Sequence, residues 1–523
     1  MRPRHLRLET AYPSWGKGQF TLGRFLPQIS DSHKRVFLCR FVEPSRCCLI
    51  LVTDQSLLFG YDAAKERFSP RHGLKFTSVC YKKSSRNLKN MIINYSVENW
   101  RSFRNQVTLN MTAGLERQHR NRVQSVDKFN LHLLPISAIY GANASGKTKL
   151  IDSLVFLKNF AVFGNVNEEQ KINIHRFKLD PVSLTQPTKF AIDLLINELI
   201  FSYKVSLLPE CVVEESLTVA NSRTVYDVFK RNSDNRIIFD KDFFKTDRYN
   251  LMPLIAKAAR KNQLFLTTGI QLGADEFKPL YDWFAKTLTI IRPTSEYISI
   301  HRFVDSADSL NQQMIDLTRK LGTGIDHFEA KTIDNSNDQD FSSVPREFVE
   351  HLKEKIPKGM NSIRIMDLFT VNNNDETVVK KLYAIHKNCQ NEDIPFSLKE
   401  ESDGTQRLLN LIPAFVDLHN NYNQVYVIDE LDRSLHTKLS EWLLRYFLES
   451  CNNVSRNQLI FTTHDVNLLT QDIFRRDELW GVDKHDSGIS DLYSFRDFKE
   501  IRTDSDIRKI YLNGLVGGVP NID

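Results

Sequence analysis

The chain has 523 residues and 41% hydrophobic content, enough for roughly three average globular domains or one large core with insertions. No apolar run approaches the ~20 residues that cross a bilayer, and no apolar stretch with a small-residue cleavage site follows Arg2, Arg4 and Arg7, so neither a membrane protein nor a secreted one is expected. Seven cysteines without paired spacing point to reduced thiols and a cytoplasmic setting.

The net charge of +6 is unevenly spread: residues 1–90 hold 17 Lys/Arg against 6 Asp/Glu, leaving 53 against 58, a net of −5, for the rest. Any nucleic-acid affinity suggested by an overall basic chain therefore comes from the first ninety residues. They show no steady period or repeat, and carry Cys39, Cys47, Cys48 and Cys80. Two readings are open: a start-site artefact, with translation beginning at Met91, or a small basic accessory domain. From Met91 to Phe103 and from Asn105 to Asn110, two alternating runs around a polar turn read as an antiparallel hairpin.

Leu133–Tyr140 is an apolar run that reads as a buried strand, and Leu150, Ile151, Leu154 and Leu157 have helical spacing. Between them lies Gly141-Ala142-Asn143-Ala144-Ser145-Gly146-Lys147-Thr148, a complete G-x-x-x-x-G-K-[ST] loop in the strand–loop–helix context it requires. Such a loop turns backbone N–H groups onto phosphate oxygens at a helix N-terminus. Lys147 then supplies a point charge to the β- and γ-phosphates, and the Thr148 hydroxyl can ligate Mg²⁺. The expected ligand is a nucleoside triphosphate, ATP.

Residues 170–245 alternate in a strand-like way and predict an antiparallel sheet that extends the nucleotide-binding lobe. Helices are expected over Met252–Phe265, Phe277–Leu288, Ser309–Leu321 and Val344–Ile356, interrupted by Asn-Asp-Ser stretches near 334–342. That region is too short and irregular for a long heptad arm and suits a helical lid or docking insertion.

Further on, Glu400-Glu401-Ser402-Asp403-Gly404-Thr405-Gln406-Arg407 places Ser402 and Gly404 at the start of a helix, where a hydroxyl and free N–H groups can hold a γ-phosphate. By itself a Ser-Asp-Gly is also an ordinary helix cap. The strand Gln424–Ile428 ends in Asp429-Glu430; as a Walker B pair, Asp429 would hold Mg²⁺ through water and Glu430 would orient or deprotonate the attacking water. A last strand, Gln458–Thr463, ends in His464, placed to sense a γ-phosphate. The stripe Leu439, Trp442, Leu443, Tyr446 and Phe447 between them is core.

The segments GANASGKT, EESDGTQRLL, VYVIDELDRSLH and FTTHDVNLL, with the Met91 hairpin and the tail segments 474–484 and 511–517, together resemble the ABC/SMC-like, AAA-type ATPases grouped with the OLD and RloA proteins, many of them bacterial antiphage components. The resemblance runs from Met91 to the C-terminus, loosely in the middle. It implies an α/β fold: a P-loop NTPase of ABC-type ATPase-head architecture with an antiparallel β lobe and a helical insertion. The corresponding boundaries are 1–90 (extension or artefact), 91–245 (N-terminal ATPase lobe), 246–365 (helical insertion) and 366–523 (C-terminal ATPase lobe).

The same resemblance implies ATP and Mg²⁺ as ligands, Glu430 and His464 as catalytic residues, and a homo-oligomer, at least a dimer, in which Ser402 and Gly404 complete a second copy's site. ATPases of Septu and of retron defence systems fall in this group. They imply a separate effector nuclease of HNH type as partner and, for retrons, a reverse transcriptase with its RNA–DNA product. No nuclease constellation is visible in the chain, and the 59 residues after His464 leave no room for the Toprim nuclease of OLD proteins. The expected role is an ATP-hydrolysing regulatory subunit. The alternatives are a DNA-repair ATPase acting on DNA directly and, less suited to the long insertion, a transporter subunit. Where transporters and SMC proteins place a D-loop aspartate this chain has Leu435-His436, and the Q-loop glutamine is left unassigned, Gln186 being one candidate that nothing in its surroundings distinguishes.

Overall fold

The computed structural model describes residues 50–53, 56–59, 90–165, 167–244, 246–293, 302–304, 310–332, 364–365, 368–373, 376–420, 423–498 and 506–518. The expected helix Val344–Ile356 and most of the first ninety residues lie outside them. The chain divides into two units, Met1–Asn87 and Leu88–Asp523. In the first, β1 (Ile50–Thr53) and β2 (Ser56–Phe59) form an antiparallel pair.

The second unit opens with β3 (Asn90–Glu98) and β4 (Val107–Asn110), an antiparallel pair as the alternation of the Met91 segment predicts. A small hairpin of β5 (Gln124–Val126) and β6 (Leu131–Leu133) leads to β7 (Ile136–Tyr140), the phosphate loop and α1 (Lys147–Phe163). Five strands follow: β8 (Thr188–Ile196), β9 (Leu199–Leu207), β10 (Val212–Ala220), β11 (Val225–Arg231) and β12 (Ile237–Phe239). They join β3 and β4 in a seven-stranded sheet of order β12-β11-β10-β9-β8-β3-β4.

The stretch 246–365 is not helical throughout. It holds α2 (Thr246–Lys257), α3 (Phe265–Gln271), α4 (Lys278–Asp282), β13 (Leu288–Ile291), α5 (Asn311–Lys320), β14 (His327–Thr332) and β15 (Arg364–Ile365). The helix expected over Met252–Phe265 is broken between Lys257 and Phe265. There the side chain of Arg231 from β11 takes the carbonyl oxygens of Arg260 and Gln263, at 2.9 and 2.7 Å. Leu288, expected to end a helix, instead starts β13, which pairs in parallel with the strand that carries Asp429. Leu-Thr-Ile-Ile is a short apolar run, and periodicity alone does not separate a buried strand of that length from a helix end.

After β16 (Leu368–Asn373), β17 (Glu376–Lys387) and β18 (Asp393–Ser397), the chain continues through α6 (Asp403–His419), β19 (Val425–Ile428), α7 (Thr437–Ser450), β20 (Gln458–Thr462), β21 (Leu479–Lys484), β22 (Ser490–Ser494) and α8 (Ile507–Leu512). The central sheet has the order β13-β19-β20-β7-β21-β22, parallel except for β22. Parallel strands are covered on both faces, and residues divide by parity. Ile139, Val425 and Val427 pack with α1 and the antiparallel lobe, while Ala138, Tyr140, Tyr426 and Ile428 pack with α5, α6 and α7. Beside this sheet, β14 to β18 form a smaller antiparallel sheet. Among the described residues no helix is long and apolar enough to cross a membrane.

The antiparallel lobe is fastened by one buried ionic cluster. Glu215 on β10 and Arg231 on β11 are cross-strand partners with no solvent exposure, 3.6 Å apart. Glu215 also accepts from the N–H groups of Phe265 and Leu266 at the start of α3, at 2.6 and 3.0 Å, and from the Tyr203 hydroxyl at 2.8 Å. A carboxylate at a helix N-terminus is favourably placed, so α3 is pinned to the sheet through a single side chain.

Candidate nucleotide site

The site forms where β7, β19 and β20 end side by side, the usual ligand edge of an open parallel sheet. The chain leaves β7 at Gly141 (φ 155°) and enters α1 after Gly146 (φ 126°). A Cβ at Gly141 would stand 2.4 Å from the Val482 carbonyl oxygen, and one at Gly146 would stand 2.8 Å from Ser490 Oγ. Both contacts are too short for any other residue. Asn143 and Ala144 are exposed at the loop tip. Ser145 is buried, its hydroxyl without a partner among the described residues, and its carbonyl accepts from Ser490 Oγ at 2.5 Å.

Lys147 Nζ donates to the carbonyl oxygens of Gly141 (2.7 Å) and Ala142 (3.0 Å) and lies 3.5 Å from His464 Nδ1. Burial lowers the Lys147 pKa to about 8, against the opposing pull of Asp429, Glu430 and Asp432. Burial, and then the Lys147 charge, lowers the His464 pKa as well, which favours a neutral imidazole able to accept from the ammonium.

A triphosphate favours the charged lysine, so ATP binding near pH 8 is expected to take up roughly half a proton, and almost none at pH 6.5. Binding enthalpies in buffers of different ionisation heat check this. Buffer independence at pH 8 would mean that Lys147 is already fully charged.

The Asp429 carboxylate is buried; its Oδ1 accepts from Thr462 Oγ1 at 2.6 Å and lies 3.4 Å from Thr148 Oγ1. Its Oδ2 is buried without a hydrogen-bond partner. Among the described residues no group of three or more His, Cys, Asp or Glu could cage a metal. This donor set fits Mg²⁺, which binds through one or two protein oxygens together with substrate phosphates. Thr148 and Asp429 would hold the ion, which when bound neutralises phosphate charge.

Glu430 adopts a left-handed backbone (φ 49°), a conformation that costs a non-glycine residue about 1–2 kcal/mol. The turn is held from several sides. Glu430 N–H donates to Thr462 Oγ1 (2.8 Å), Asp429 N–H to the Ile291 carbonyl (2.8 Å) and Leu431 N–H to the Thr462 carbonyl (3.0 Å). Arg407 Nη2 donates to the carbonyls of Asp429 (3.0 Å) and Glu430 (2.8 Å). The Glu430 carboxylate is left about one-third exposed, 4.0 Å from Arg433, where it can take a proton from water.

Ser402 is the N-cap of α6, accepting from Thr405 N–H at 3.2 Å, and is exposed. Gly404 approaches the Ser434 carbonyl so closely that a Cβ would stand 2.8 Å from it. Among the described residues no hydrogen bond joins Ser402 or Gly404 to residues 141–148. The structure therefore groups Lys147, Thr148, Asp429, Glu430 and His464, and leaves the Ser402 turn facing solvent.

Four residues of the site escaped sequence reasoning. Thr462 orients Asp429 and Glu430; Asp432 accepts from His464 N–H (3.2 Å). Both lie inside motifs already recognised, which was their only signal. Arg407 lies three residues past Gly404, and Arg292, directly after β13, accepts from Arg407 Nη1 through its carbonyl (3.2 Å). Arg292 carries no local signal, because the apolar run before it reads equally well as the end of a helix. Gln186 is exposed in the loop before β8, its carbonyl accepting from Asn99, which gives it a place in the antiparallel lobe. His436 caps α7, accepting from Lys438 N–H at 3.1 Å.

A phosphate loop after β7, an acidic pair after β19, His464 after β20 between them, and an antiparallel lobe packed on one face define a P-loop NTPase with an ABC-type ATPase head. Residues 136–470 match the model of the family described as "AAA domain, putative AbiEii toxin, Type IV TA system", and the chain belongs to that family of ATPase domains. Among solved structures it is similar to the SMC head domain from Thermotoga maritima, with 13% identity over 77% of this chain and 98% of that one and a TM-score of 0.33. It is also similar to an SmcHead bound to the C-winged helix domain of ScpA (12% identity, 77% and 98% covered, TM-score 0.35). A third is a Pyrococcus furiosus Smc head with an extended coiled coil, bound to the C-terminal domain of ScpA (12%, 77% and 96%, TM-score 0.33). No curated protein matches the chain in sequence.

Proposed function

We propose that this ATPase is the regulatory subunit of a bacterial antiphage defence system, retron- or Septu-like, which controls a separate effector nuclease through ATP-dependent assembly of its own copies. The observation that carries the assembly part is the division of the site. Groups suited to the metal, the phosphates and the attacking water converge at residues 141–148, 429–430 and 464, whereas Ser402 is exposed at the start of another helix, with Gly404 beside it. A helix N-terminus capped by an exposed hydroxyl can take an anion, and a second copy's γ-phosphate is the ligand that fits it. ATP then closes two composite sites in a two-fold dimer. Glu430 deprotonates water, and hydrolysis reopens the assembly.

The effector part rests on the resemblance of the motifs to Septu and retron ATPases, and the family description, which names a toxin and a TA system, is in keeping with it. An HNH nuclease is the proposed partner and, in the retron case, a reverse transcriptase and its RNA–DNA.

Ser402→Arg tests the assembly. It is expected to leave ATP affinity nearly unchanged, since among the described residues Ser402 makes no hydrogen bond to the protomer's own phosphate loop, and to abolish ATP-dependent dimers and turnover. Normal hydrolysis by a monomeric Ser402→Arg protein would remove the composite-site reading. Co-purification from the native operon tests the effector: recovery of recombination proteins in place of a nuclease would move the function to DNA repair.

A further inference from the structure

Residues 506–518 close on the start of the phosphate loop. Asp506 caps α8 by accepting from Lys509 N–H at 3.2 Å, and Ile507, Tyr511 and Val516 are buried in the same core as Ala138 and Tyr140. The Tyr511 ring meets that of Tyr140, the last residue of β7, edge-on at 6.0 Å and stacks with Phe495 at 6.2 Å. Beyond α8 the chain turns back on itself: Gly514 N–H donates to the Tyr511 carbonyl at 2.8 Å and Gly517 N–H to the Gly514 carbonyl at 3.2 Å. The Tyr511 hydroxyl then donates to the Gly518 carbonyl at 2.7 Å. One tyrosine therefore joins the end of β7 to the end of the turn.

The turn brings two glycines to the loop. Gly517 (φ 69°) and Gly518 (φ 74°) are both left-handed, a backbone that glycine adopts freely and other residues resist. A Cβ on Gly518 would stand 3.5 Å from Gly141 Cα, 3.2 Å from the Tyr511 ring and 3.3 Å from the Tyr493 hydroxyl. One on Gly517 would stand 2.7 Å from the Tyr493 hydroxyl and 2.9 Å from Asp483 Oδ2. That hydroxyl is buried without a hydrogen-bond partner among the described residues. Shape places it there, because the Tyr493 ring lies across Gly481, its cross-strand neighbour on β21. Gly141 thus meets two backbones, the Val482 carbonyl of β21 and Gly518 of the tail, while its own carbonyl accepts from Lys147 Nζ at 2.7 Å.

We propose that the tail Tyr511–Gly518 is a positioning element of the ATP site, seating Gly141 so that the loop and Lys147 are already in place when the triphosphate arrives. The proposal rests on the reading of residues 141–148 as that site. Tyr511 and Gly518 act through Gly141 and take no part in the chemistry. A preformed loop loses less freedom on binding. Its phosphate contacts serve bound substrate and transition state alike, so the tail's contribution falls on KM and not on kcat.

The test uses the full chain with ATP and Mg²⁺, measuring turnover against ATP concentration and, separately, binding of a fluorescent ATP analogue. Tyr511→Phe keeps the ring against Tyr140 and Phe495 and removes only the bond to Gly518. It is expected to raise KM and the analogue's dissociation constant about threefold, and to melt within about 2 °C of the parent. Gly518→Val is expected to raise both constants about tenfold or more, with Gly518→Ala in between. In each, kcat stays within about twofold of the parent. Leu515→Ser, in the same tail but 64% exposed, is expected to match the parent. A parent-like KM in Tyr511→Phe, with Gly518→Val either parent-like or unfolded, overturns the proposal, and so does a loss confined to kcat. Lys147→Ala separates it from the reading beneath it. If that variant loses analogue binding while the tail variants bind like the parent, the ATP site stands and the tail's role falls. Analogue binding in Lys147→Ala as tight as in the parent overturns both.

Discussion

Replacing Glu430 by glutamine is expected to lower kcat for ATP hydrolysis by about 10²- to 10⁴-fold, the range associated with loss of a general base, while ATP affinity changes little. The amide keeps the size of the side chain, and every hydrogen bond that shapes the turn comes from elsewhere: Thr462, Ile291 and Arg407 hold the backbone of residues 429–431. The substitution therefore removes basicity without moving the site. An ATP-loaded assembly should accumulate, visible as a dimer that persists after excess nucleotide is removed. Steady-state turnover and the mass of the trapped species check the two halves separately. Wild-type turnover in Glu430→Gln would exclude Glu430 as the base.

The second large effect concerns stability. Glu215→Ala is expected to cost about 3–5 kcal/mol, because it leaves a fully buried Arg231 without its anion. It also leaves two N–H groups of α3 and the Tyr203 hydroxyl without their acceptor. For the unit Leu88–Asp523 this corresponds to a melting shift of about 3–5 °C. Burial raises the Glu215 pKa and lowers that of Arg231, as expected where desolvation outweighs the attraction within the pair. A double replacement, Glu215→Leu with Arg231→Met, is therefore expected to be milder than Glu215→Ala alone. Differential scanning calorimetry of the three chains decides. A Glu215→Ala protein melting like wild type would show that the cluster contributes little.

The chemistry of the site was legible wherever it needs contiguous residues. A phosphate loop must present successive N–H groups with glycine where φ is positive, so Gly141 to Thr148 declare themselves. Asp429-Glu430 and His464 are legible for a related reason: each ends an apolar strand, and the C-terminal ends of parallel strands are where ligands gather. The alternation of residues 188–207 likewise announces β8 and β9. Less legible were short elements whose identity depends on a neighbour. Leu288–Ile291 is a strand because the Asp429 strand lies beside it, and nothing local distinguishes it from the end of a helix.

Sequence alone thus determined that the chain is an ATPase of the P-loop type, because glycine, lysine, hydroxyl and carboxylate at fixed spacings have few other uses in that context. Only the tertiary structure decided how the groups are held and which of them share a site. Arg407, 22 residues before Asp429 and close to Ser402, grips the Glu430 turn. Arg231 interrupts a helix by taking its carbonyls, and Ser402 is an exposed helix cap with no hydrogen bond, among the described residues, to the phosphate loop of its own chain. Each of these depends on a side chain reaching a backbone or surface far along the chain, a distance that no local pattern encodes.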